Sequence, residues 1–101
     1  MAYKHAKQVL NKALEVICGP REESYGDFVQ NSKDVSVIAG TILGRKLPPE
    51  VYPAVMIAAK IVRETHKHGI DNLIDHIGYV ALYHELVETM RREAGEVERC
   101  E

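Results

Sequence analysis

No stretch of about 18 consecutive apolar residues occurs anywhere in the chain, which excludes a helix crossing a membrane. The N-terminal MAYKHAKQVL lacks the continuous apolar core of a secretory signal, so the expected compartment is the cytoplasm. Cysteine is scarce. Cys18 and Cys100 make no disulfide framework, and neither neighbours a His/Cys cluster with zinc spacing. Cys18, at the end of an apolar segment, reads as a small buried hydrophobe. An excess of positive charge is also missing. The net charge of −2 argues against binding a nucleic acid polymer by bulk attraction. Neither a Gly-rich phosphate loop nor a nucleophile elbow is present. Strand-like alternation and internal repeats are absent as well.

What remains is a 101-residue chain, 46% hydrophobic and 28% charged, enough for one packed domain. Its apolar residues recur at helical spacing. Tyr3, Ala6, Val9, Leu10, Ala13, Leu14, Val16 and Ile17 mark a first helix, ended by Gly19-Pro20. A second helix is expected over 27–43, with Asp27 as its cap and Gly44 as its stop. Phe28, Val35, Ile38, Ala39 and Ile42 mark its expected buried face. Asn31 and Ser32 offer an alternative start. Pro48-Pro49-Glu50 opens a third helix running to about His66, since proline suits a first turn and an acid suits the positive end of the dipole. Gly69 breaks it, and Asp71 is the expected cap of a fourth helix over 72–92. The reading is an all-α, four-helix bundle-like single domain over 1–93, with a charged tail over 94–101 expected to fray. The last two helices are apolar on most sides, which places them centrally or at an interface between copies of the chain.

Polar residues within those apolar helices are the candidates for chemistry. Lys60 interrupts an apolar run and shares a side with Met56, Ile57 and Glu64, opposite the stripe Val51, Val55, Ala58, Val62. Arg63 follows one turn on. The pair is either a snorkelling lysine beside a surface arginine or two cations placed to meet a phosphate. Asn72, Asp75, Tyr79 and Tyr83 recur every three or four residues on the fourth helix. A carboxylate in such a row needs a partner, and Lys60 or Arg63 is the obvious one. The row is either half of a structural salt bridge or one wall of a mixed site. In the mixed site the tyrosines stack on a base or ribose. Arg21 and Tyr25 sit in the polar segment before Asp27 and either stay solvated or close over a ligand. His66, His68 and His76 cluster around one connection without metal-ligand spacing, and His84 reads as a core histidine.

The order Arg21…Tyr25-Gly26…Asn31…Ile38-Ala39, then Lys60-x-x-Arg63, then Asp71-Asn72-x-x-Asp75-x-x-Gly78-Tyr79 resembles an uncharacterised group of small phage and bacterial domains. That group is distantly similar to the MazG-type all-α NTP pyrophosphatases, and the match covers residues 20 to 85. The resemblance implies a helical nucleotide-handling fold that forms a homo-oligomer, in the cytoplasm of a bacterial or phage-infected cell. MazG-type enzymes hold Mg²⁺ with an ExxE on one helix and an ExxD on the next. Here the second reads Asn72-x-x-Asp75 with Asp71 beside it, and the first aligns with Lys60-x-x-Arg63, a reversal of sign. Two cations in place of two acids remove metal ligands and add phosphate partners. The first expectation is therefore capture of a phosphorylated nucleotide, an immune signalling nucleotide among them, without hydrolysis and without a cofactor. Its ligand residues are Lys60, Arg63, Asp75, Tyr79, Asn72, Arg21 and Tyr25. The alternative is a Mg²⁺-dependent pyrophosphohydrolase with Asp71 and Asp75 on the metal, helped by Glu22, Glu23 or Glu64. A structural protein with no small ligand is the third.

Overall fold

A computed structural model describes residues 2–18 and 27–95. Within them the chain is all-helical: α1 (Lys4–Cys18), α2 (Phe28–Leu43), α3 (Val51–His66) and α4 (Ile70–Glu93). None of these helices is long and apolar enough to cross a membrane. The expected fraying of the tail, at 96–101, lies outside the described residues.

The long α4 is the hub against which the other three helices pack. α3 and α4 pack against each other as a hairpin across the short turn over 67–69. α1 lies on α4 where Gly78 leaves room for the side chain of Ile17. α2 reaches α4 through Phe28, which meets the ring of Tyr79, and through Lys33, whose Nζ lies 2.9 Å from Glu93 Oε1. That ion pair is largely exposed and contributes at most about 1 kcal/mol. Ala13, Pro53, Ile74 and Leu86 are enclosed. The radius of gyration, 15.5 Å, exceeds the ~13 Å of a closely packed domain of this length. The fold is thus open, and several large aliphatic side chains stand in solvent.

Local signals set most helix ends. The Asp27 carboxylate accepts hydrogen bonds from the N–H groups of Val29 and Gln30, so the helix starts there and not at Asn31 or Ser32. Gly44, at φ 70°, closes the other end with its N–H on the Gly40 carbonyl. The start of α4 differs from expectation. Gly69 holds the cap position and Asp71 lies inside the first turn, where its charge still complements the dipole.

The face of α2 is the largest correction. Its buried residues are Ser32, Ser36 and Gly40, while Ile38 and Ile42 point to solvent and Phe28, Val35 and Ala39 lie at the margin. Small residues at four-residue spacing let the helix approach its neighbours closely. The two hydroxyls lose nothing by burial, since Ser32 Oγ donates to the Phe28 carbonyl and Ser36 Oγ to that of Lys33. Two further expectations fail. Cys18 is exposed at the end of α1, and His84 is exposed on α4 rather than in the core.

Candidate functional site

The hairpin of α3 and α4 brings two of the sequence candidates together. Lys60 Nζ lies 3.1 Å from Asp75 Oδ2, with side chains 14% and 34% exposed. The lysine projects from the side of α3 that faces α4, between Met56 and Ile57 before it and Glu64 after it. The stripe Val51, Val55, Ala58, Val62 turns outward, and its last three residues are exposed. A half-enclosed cation must find an anion, and Asp75, on the first turns of α4, supplies it.

Arg63 stands one turn further along α3, about 60° round the helix, and is exposed. Tyr79, one turn beyond Asp75, is half-buried in a group of three rings. Its centroid lies 6.4 Å from that of Phe28 and 6.4 Å from that of Tyr52, and those two lie 5.9 Å apart. Tyr52 meets Tyr79 edge to face, at 89°, the arrangement that the ring quadrupoles favour. Sequence periodicity pointed to Tyr79 alone. Phe28 was expected on the buried face of its own helix and Tyr52 was not singled out, and only the packing of three helices reveals both as neighbours of Tyr79.

Asn72 is drawn into the turn instead of joining the pair. Its amide donates to the Lys67 carbonyl at 3.4 Å and to Glu64 Oε1 at 3.5 Å. Glu64 is the centre of that turn: Oε1 also accepts the Gly69 N–H at 2.9 Å, and Oε2 lies against His68 Nδ1. The His68 contact holds the Glu64 carboxyl below its ordinary value, with the Gly69 N–H assisting and partial burial opposing. A lowered carboxyl stabilises the fold fully above the unfolded-state value of 4.5 and loses that contribution as the pH falls through the folded-state value. The melting temperature of the wild type is therefore expected to fall more steeply below about pH 4.5 than that of Glu64→Gln, which keeps an acceptor but does not titrate. Melting curves across the acid range check this, and parallel slopes would refute it.

Asp71 is exposed, and Asp75 is engaged by a lysine. Among the described residues no three His, Cys, Asp or Glu side chains converge as a metal-ligand group. Arg21 and Tyr25, like Glu22 and Glu23, lie outside the described residues.

Residues 8–87 match the DUF6378 family, described as a domain of unknown function. The chain belongs to that family. No curated protein and no solved structure matches it. The DUF6378 match spans α2 and α3 whole and about three quarters of α1 and of α4, so the Lys60–Asp75 pair and the three-ring group lie within it.

Proposed function

We propose that this domain is a nucleotide-binding subunit that captures a phosphorylated nucleotide without hydrolysing it, acting in the cytoplasm as a homo-oligomer. The supporting observation is Lys60, largely withdrawn from water and, among the described residues, held by one carboxylate at 3.1 Å. A phosphate presents several charged oxygens and competes with a single carboxylate for that ammonium. Arg63, exposed one turn away, adds a planar donor pair suited to the same group. Asp75, released from Lys60, is left to accept from a ribose hydroxyl or a base amine. Tyr79 offers an aromatic edge one turn further along.

The test is a thermal-shift panel of nucleoside mono-, di- and triphosphates and cyclic nucleotides on the purified protein. A ligand at a hundred times its dissociation constant adds about 2.7 kcal/mol, which raises the melting temperature of a domain this size by roughly 15 °C. Lys60→Met keeps the aliphatic stem packed and removes the charge. The expected result is a folded variant in which that rise disappears. If no nucleotide moves the wild type, or if Lys60→Met responds equally, capture is wrong and the pair is an interhelical tie. Mg²⁺-dependent pyrophosphate release in the same samples would replace capture with hydrolysis.

A further inference from the structure

α3 turns polar side chains inward and its apolar side outward. Lys60 and Glu64 face the hairpin partner and its turn, where each is engaged. Ala54, Val55, Ala58, Ala59, Ile61 and Val62 are all exposed and occupy an arc of about 160° on the opposite side. No Asp, Glu, Lys or Arg of α3 falls within that arc. A helix bordering water carries the reverse pattern. Val55 is 57%, Val62 55% and Ile61 42% exposed. The six side chains present roughly 350 Å² per copy, in the size range of functional surface patches and under half of the ~800 Å² per partner in a standard interface. An interface of that extent is a reversible one.

The order of side-chain sizes argues for the occupant and its direction. Val51, Val55, Ala58 and Val62 follow one another at steps of four, three and four, the spacing of a seam between two helices. An antiparallel pair with its two-fold axis midway between Val55 and Ala58 sets each Val55 against the other copy's Ala58. It also sets each Val51 against the other copy's Val62. Large side chains then fill the space that small ones leave, and the two helix dipoles oppose. Parallel pairing sets Ala58 against Ala58 and leaves a gap between the flanking valines. A row that supplies its own complement about a two-fold axis fits an isologous contact. We infer that the outward side of α3 is a two-fold, antiparallel interface with a second copy of this chain. This rests on the homo-oligomer reading above but not on the nucleotide. Lys60 points away from the seam, so each copy keeps its own Lys60–Asp75 pair. Ile38 and Ile42 of α2 are also exposed, but Asp34 borders them one turn earlier, so they serve as the control.

The experiment is sedimentation equilibrium from about 10 μM to about 1 mM chain, a span suited to a small interface, with helicity followed by circular dichroism. The wild-type mass is expected to rise toward two chains across that range. Val55→Lys/Val62→Lys stays at one chain with full helicity, because both positions already meet solvent within one copy. Ile38→Lys/Ile42→Lys associates as the wild type does. Ala58→Leu collides with the other copy's Val55 and weakens association at least about fivefold. Adding Val55→Ala exchanges the two sizes and restores it. Parallel pairing predicts the opposite for Ala58→Leu, a tighter dimer with the gap filled. If the double-lysine variant loses helicity, the Ala58→Leu series decides by itself. A wild type that stays at one chain throughout would overturn the homo-oligomer reading and this interface together. Association that survives Val55→Lys/Val62→Lys at full helicity, or that is lost through Ile38→Lys/Ile42→Lys, would leave the homo-oligomer standing and overturn this surface. Tightening by Ala58→Leu, or failure of the size exchange to restore association, would overturn the antiparallel arrangement.

Discussion

Leu86→Ala is expected to destabilise the fold by about 3 kcal/mol, a large share of the 5–15 kcal/mol that a small domain holds in total. Leu86 is 0% exposed on the helix that all the others pack against. Truncation removes about three carbons from the interior and leaves a cavity that rigid helices close only in part. An open fold with few enclosed aliphatic side chains has little else to compensate. At roughly 4–8 °C per kcal/mol, the melting temperature should drop by about 15 °C. Thermal and urea unfolding measure this directly. A fall of only one or two degrees would mean that this position carries none of the core.

The second large effect is a difference in sign between two buried helical glycines. A Cβ added at Gly78 would meet only the side chain of Ile17, at 3.8 Å, an ordinary contact. Gly78→Ala should therefore stabilise by up to about 1 kcal/mol through helix propensity and a less flexible unfolded chain. A Cβ at Gly40 would lie 2.6 Å from the backbone carbonyl oxygen of Arg45. That carbonyl belongs to the turn that closes α2, in which the Gly40 carbonyl accepts the N–H groups of both Gly44 and Arg45. Backbone does not swing aside as a side chain would, so the whole turn must shift. Overpacking of this kind costs about 1–3 kcal/mol, enough to outweigh the same propensity gain. Gly40→Ala is thus expected to be destabilising, and Gly40→Val more so. Unfolding curves for the three variants decide it, and a stabilised Gly40→Ala would show that the turn is not held as described.

How far the residues alone led can be judged on α2 and on the α3–α4 hairpin. The ends of α2 were legible because they depend on groups within a few residues: the Asp27 carboxylate reaches two amides of its own first turn, and Gly44 needs no partner to adopt a positive φ. Its orientation was not legible. Periodicity identifies an apolar side but does not say whether the same chain or another molecule covers it, and the small residues Ser32, Ser36 and Gly40 made the closer fit to the neighbouring helices. The same limit explains His84 and Cys18, both assigned to an interior that the four helices do not enclose. In the hairpin, a basic partner for Asp75 on the preceding helix was foreseeable, and the structure chose Lys60 over Arg63. Lys60 and Asp75 each sit on an otherwise apolar helix, each needs an opposite charge, and the short turn at 67–69 leaves the two little freedom to miss.

By itself the sequence determined the all-helical class and nearly all the limits of the described helices, and it narrowed the partner of Asp75 to Lys60 or Arg63, since each follows from hydrogen bonds and spacings local to a few turns. The packing of separate helices decided the rest: which side of α2 faces inward, the meeting of Phe28, Tyr52 and Tyr79, and the capture of Asn72 by Glu64 at the turn. Such choices depend on how closely two surfaces approach, and that distance is a property of both surfaces together.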